Sequence, residues 1–232
     1  MKILTIHNTK DTPGHEGDAR GAFIPEAINF EKFHKRQGNE VERLGFDNLV
    51  PLHERAATFL ALLEKAQPFD AFVYLGHGLR TSMSSAQIGP VERPKFVSLL
   101  HTKALVKTQL YVTLYACSTG ETPRTSKSVN GDDGFADKVR DDLENVGFTG
   151  GWVDGHTIAA HATQNPYLRR FEMGPGSNIG GEWLIEPKSS LWGRWRERLH
   201  SPWRLDPFRF VFPYLTAHDV RAQCVFTTPN LA

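Results

Sequence analysis

Apolar positions along this chain alternate between short unbroken runs and longer stretches in which they recur every three or four residues. Lys2 to Ile6, Ala71 to Leu75 and Leu110 to Ala116 are runs of β-branched, aliphatic and aromatic residues and predict buried strands. Glu40 to Leu44 predicts a further strand, Phe148 to Val153 a fifth and Glu182 to Ile185 a sixth. Between them lie three helical patterns. Ala22 to Arg36 carries Ile24, Ile28, Phe30 and Phe33 at helical spacing, and Pro51 to Gln67 carries Phe59, Leu60, Leu62 and Leu63. Asp132 to Asn145 repeats Phe135, Val139 and Leu143 every fourth residue, with acidic residues at its start and Gly147 as its stop. Strands alternating with helices predict an α/β fold, a mainly parallel sheet flanked by helices on both faces.

Two of the predicted strands end at residues that do chemistry. Phe72-Val73-Tyr74-Leu75-Gly76 leads into His77-Gly78, and 40 residues beyond His77, Tyr111-Val112-Thr113-Leu114-Tyr115-Ala116 leads into Cys117-Ser118. In a parallel sheet, ligands bind in the crevice beyond the carboxyl ends of the strands. A histidine and a cysteine at the tips of neighbouring strands share that crevice, and such a pair makes a nucleophile with its base. Alone, the histidine reads as an ordinary loop residue and the cysteine as a small buried hydrophobe. Together they point to acyl transfer, because a thiolate is the reactive form and an imidazole beside it supplies or stabilises that form.

Strand-His-Gly followed by strand-Ala-Cys resembles the caspase-like cysteine peptidases, over roughly residues 1–186, and most closely their divergent bacterial CHAT-type members. The caspase His lies about 50 residues before its Cys, compatible with the spacing here. The chain departs from the caspase pentapeptide, reading Tyr115-Ala116-Cys117-Ser118-Thr119, and has Tyr115 where metacaspases carry an acid. The resemblance implies a caspase-like fold and a cysteine endopeptidase that cleaves a protein or peptide substrate through a thioester acyl-enzyme. It makes His77 and Cys117 catalytic, puts the backbone N–H groups of Gly78 and Cys117 in an oxyanion hole, and requires no cofactor. It also directs attention to Arg20 as a substrate-pocket residue, since caspases use an arginine after the first strand. Asp18 shares that loop, and Tyr115, Asp154 and His156 are the other pocket candidates. Acidic and basic substrates both stay open.

Composition narrows the picture further. With 27 Lys+Arg against 26 Asp+Glu in 232 residues, the chain has no basic excess that would favour nucleic acid. No apolar run approaches the ~18 residues of a membrane span, and the apolar start is too short for a signal peptide. Cys117 and Cys224 make no disulfide framework, so a reducing cytoplasm is expected. From Ser189 the chain interleaves Trp and Phe with Arg, which divides it into a peptidase domain at 1–188 and an extension at 189–232 packing on that domain. A stacking surface for nucleic acid is the competing reading of that tail, and the neutral charge argues against it.

His7, His156 and His161 follow or neighbour predicted strand ends, and with His77 and Asp154 they offer a zinc site as an alternative. No HxH or HExxH spacing supports it, and no metal is expected. Two rival functions remain: a catalytically silent caspase-like binding or regulatory module, and an acyl hydrolase or transferase with the same dyad but a non-peptide substrate. The polar loops Asn8–Gly21 and Thr119–Gly131 flank the crevice. They are expected to be ordered by an activating partner or by self-cleavage. The oligomeric state is not legible.

Overall fold

The computed structural model describes residues 1–10, 23–120, 134–156, 168–174 and 182–185. The tail 189–232, with Cys224, lies outside the described residues. In chain order the elements are β1 (Lys2–Asn8), α1 (Ile24–Arg36), β2 (Glu40–Phe46), α2 (Arg55–Lys65), β3 (Ala71–Leu75), α3 (Arg93–Lys103), β4 (Gln109–Tyr115), α4 (Phe135–Asn145), β5 (Gly150–His156), β6 (Leu168–Glu172) and β7 (Glu182–Ile185). The strands form one seven-stranded sheet in the order β2-β1-β3-β4-β5-β6-β7. The pairings from β2 through β5 are parallel, whereas β6 and β7 are antiparallel. This is the expected α/β architecture.

The sheet order follows from two-sided burial. Every residue of β3 is buried, so neither of its faces meets water. From β1 the chain steps outward to β2, then returns past β1 to β3 and continues to β4 and β5. Right-handed crossovers put helices from the two directions on opposite faces. Accordingly α1 packs with Ile3, Val41, Val73, Leu75 and Tyr115 through Ala27 and Phe30. On the other face Phe59 and Leu63 of α2, Phe96 and Leu100 of α3, and Val139 and Leu143 of α4 cover Leu4, Ile6, Phe72, Tyr74, Val112 and Leu114. Burying each such Phe or Leu contributes about 1.5–3 kcal/mol. The direction of progression reverses between β1 and β3, and a sheet of this order binds ligands at that reversal.

Several elements differ from expectation. α3 is additional: Pro94 stands in its first turn, where the missing N–H costs nothing, and Phe96, Val97 and Leu100 are buried. β6 is also additional, which makes Glu182–Ile185 the seventh strand and not the sixth. A 3₁₀ turn at Leu52–Glu54 precedes α2. β5 begins at Gly150, because Phe148 is buried in the core beside the end of α4 before the chain enters the sheet.

Candidate active site

β3 and β4 are hydrogen-bonded neighbours with Leu75 opposite Tyr115. Gly76 N–H donates to the Tyr115 carbonyl at 3.3 Å, carrying the ladder one step past the strands. His77 and Cys117 each stand two residues beyond that last pair, so they leave the sheet from the same edge on adjacent strands. Both are partly exposed, and Cys117 is in no disulfide among the described residues. The His77 ring lies on the α1 side, where the edge of Phe23 meets it at a centroid distance of 5.4 Å and an interplanar angle of 75°. Phe23 has φ +74°, a left-handed conformation that a bulky residue seldom adopts.

The backbone of His77 is gripped from the opposite face. Its N–H donates to Ser85 Oγ at 2.9 Å, and its carbonyl lies 3.3 Å from that oxygen and 3.4 Å from the Tyr74 hydroxyl. Asn8 Nδ2, at the end of β1, donates to Ser85 Oγ at 2.7 Å, and the Tyr74 hydroxyl is 3.0 Å from it. Burial pushes the Tyr74 hydroxyl well above the usual phenol range, so it stays protonated. Gly78 then passes against the neighbouring strand end. A Cβ there would stand 2.7 Å from Ala116 Cβ, 2.9 Å from the Cys117 carbonyl oxygen and 2.9 Å from Thr119 Cγ2. The Gly78 N–H meets no acceptor among the described residues.

After Cys117 the chain turns sharply. Ser118 has φ +55°, again left-handed in a residue with a Cβ. Such strain persists only where the surroundings hold it, and here they do. Thr119 Oγ1 donates to the Ala116 carbonyl at 3.1 Å, and Gly120 N–H to the His156 carbonyl at 2.7 Å. The first turn of α4 ties the loops after β3 and β4 together: Phe135 N–H donates to the Arg80 carbonyl and Ala136 N–H to the Thr119 carbonyl. Helix N-termini leave such donors unsatisfied within the helix, so the two loops complete α4 while α4 fixes the loops.

The remaining sequence candidates have other positions. Asp18, Arg20, His161 and the two flanking loops beyond Lys10 and Gly120 lie outside the described residues. His7 and His156 were expected past the ends of their strands; instead they are inside them, because β1 pairs on to Asn8 and β5 to His156. Both are buried, and burial together with nearby Arg43 lowers the His7 pKa. Tyr115 sits in the core under α1, its ring 6.2 Å from that of His156. Asp154 is fully buried and accepts two hydrogen bonds from Arg170, at 3.0 and 3.1 Å. Burial raises its carboxyl pKa even though Arg170 pulls the other way. Among the described residues no three His, Cys, Asp or Glu side chains converge as metal ligands.

Asn8, Tyr74, Ser85 and Phe23 are site residues that sequence reasoning missed. Ser85 carries a faint signal, a hydroxyl among Met83, Ala86 and Ile88, which are all buried. Compared with known proteins, the chain matches no family profile and no curated protein. No helix among the described residues is long and apolar enough to cross a membrane.

Proposed function

We propose that this chain is a cysteine endopeptidase of the caspase-like kind, in which Cys117 is the nucleophile and His77 the base. The observation that carries the reading is the in-register pairing of Leu75 with Tyr115, from which the two residues emerge at one level of one sheet edge. The strained Ser118 beside the thiol and the topological switch beside His77 support it. A reducing, cytoplasmic setting belongs to the same reading, since the nucleophile must remain a thiol.

In this mechanism the Cys117 sulfur attacks the scissile carbonyl carbon and His77 takes the thiol proton. The carbonyl oxygen gains negative charge and is met by the N–H groups of Gly78 and Cys117; loss of one such donor costs about 2.7–4 kcal/mol in other acyl-transfer enzymes. Collapse of the tetrahedral adduct breaks the C–N bond, and His77 protonates the departing amine. Water, deprotonated by His77, then hydrolyses the thioester and regenerates the thiol. The Gly78 N–H, which meets no acceptor among the described residues, supports its part in this scheme.

The test is incubation with a mixed peptide library, with products read by mass spectrometry. Cleavage by the wild type that disappears in Cys117→Ala is the expected result. Turnover of small acyl esters without peptide cleavage would reassign the dyad to a non-peptide substrate, and turnover of neither would leave a binding module.

A further inference from the structure

We infer that Ser85 is a positioning residue for His77, fixing the imidazole's backbone across the switch point between β1 and β3. The inference rests on the reading of His77 as the base. A hydroxyl buried among apolar groups costs desolvation free energy unless it is hydrogen-bonded. Ser85 is 5 % exposed and sits between Met83 and Ala86, which are buried in the core. Its oxygen lies within hydrogen-bonding distance of four groups: Asn8 Nδ2, the Tyr74 hydroxyl, and both the N–H and the carbonyl of His77. Its own N–H also donates to the His77 carbonyl, at 3.4 Å.

The donors and acceptors balance. Ser85 Oγ accepts from Asn8 Nδ2 and from His77 N–H. Its single proton goes to the Tyr74 oxygen, leaving the Tyr74 O–H for the His77 carbonyl, or to the His77 carbonyl, which the Tyr74 O–H then shares. The segment that presents Ser85 is itself braced by two short antiparallel bridges, Leu79 with Ser82 and Met83 with Ile88. One hydroxyl thus joins the end of β1, the end of β3 and the loop after His77. It acts on the face of the sheet opposite the imidazole, whose ring meets Phe23 near α1. Ser85 touches no reacting atom in this scheme. Its effect is to hold the ring where the thiol needs it, and a displacement of about 1 Å in such a group can cost 10²-fold in rate.

The experiment measures the pH dependence of Cys117 alkylation by iodoacetamide in the full chain, mapped to the residue by peptide mass, alongside peptide cleavage. The variants are Ser85→Ala, Ser85→Thr, Tyr74→Phe, His77→Ala and Leu100→Ala, the last a packing loss in α3 far from the site. Ser85→Ala is expected to lower the neutral-pH rate by roughly tenfold to a hundredfold and to move the alkylation profile toward that of His77→Ala. Ser85→Thr, which keeps the hydroxyl, restores both. Leu100→Ala lowers the melting temperature and moves neither. A wild-type rate and profile in Ser85→Ala, with His77→Ala clearly shifted, would overturn the inference and leave the dyad standing. An alkylation profile that ignores His77→Ala would remove the dyad itself, and the inference with it. Should Ser85→Ala not fold, Tyr74→Phe decides: it removes one hydroxyl from the same cluster, so a smaller shift in the same direction supports the role and an unchanged profile refutes it.

Discussion

Gly78 shows how little room the proposed site leaves for an added atom. A methyl group there would meet Ala116 Cβ at 2.7 Å and the Cys117 carbonyl oxygen at 2.9 Å, and neither is the far end of a flexible side chain. Gly78→Ala is therefore expected to push the loops after β3 and β4 apart, lowering the proposed peptide cleavage and the melting temperature together; a stopped peptide assay and thermal unfolding check it. Cys117→Ala and His77→Ala should each abolish cleavage while leaving the melting temperature near that of the wild type. The double variant should be little worse than either alone, because the pair acts as one unit. Additive losses in the double variant would show instead that the two residues work independently.

At the scale of elements, β5 offers a cleaner separation of fold from function, with a glycine of each kind in one strand. Gly155 lies beside the loop after Cys117, where a Cβ would stand 2.8 Å from both Gly120 N and Thr119 Oγ1. Gly151, at the other end, has φ +96° and faces the Leu110 carbonyl. Placing Ala at a positive φ destabilises by more than about 1 kcal/mol. Gly151→Ala is expected to lower the unfolding midpoint and leave the cleavage rate of the folded protein intact, whereas Gly155→Ala lowers both. Which elements were legible in the sequence follows a similar logic. β3 was readable because it is buried on both faces and apolar throughout, and β4 because it is aliphatic and aromatic but for Gln109 and Thr113; their ends at His77 and Cys117 came with them. α3 was hidden because only Phe96, Val97 and Leu100 are fully buried, with Leu99 partly so, among residues that are mostly polar. β6 was hidden because its Arg170 reads as a surface charge; in the sheet it faces Asp154 across an antiparallel pair and lies 3.6 Å over the Trp152 ring. The grip on His77 was illegible for a different reason. Asn8 and Tyr74 reach Ser85 across 77 and 11 positions of chain, and no local pattern records a contact of that span.

For the whole molecule, the face under α1 carries buried titratable groups that should make the fold sensitive to acid. The His34 ring packs tilted against that of Phe30 with centroids 4.2 Å apart, and burial lowers its pKa from 6.5 to about 3. It is neutral in the folded chain, whereas the unfolded chain takes up the proton below pH 6.5. Its contribution is thus fully present above that pH and is lost as pH falls toward about 3. By pH 4.5 the loss is on the order of 2–3 kcal/mol, and His7 shifts in the same direction. Chemical unfolding at pH 7 and pH 4.5 should show this decrease, with a visibly flatter dependence in His34→Leu. On the proposed reading the same architecture sets the activity, since the order β2-β1-β3-β4-β5 brings the ends of β3 and β4 together beside the switch point. The most direct test of that claim treats the wild type, Cys117→Ala and His77→Ala with a mixed panel of peptidyl acyloxymethylketones and maps every adduct by mass. The expected result is a single adduct on the wild type at Cys117, none at that position in Cys117→Ala, and labelling slowed by roughly 10²-fold or more in His77→Ala. Labelling of Cys117 at the same rate without the imidazole, or adducts confined to Cys224, would contradict it.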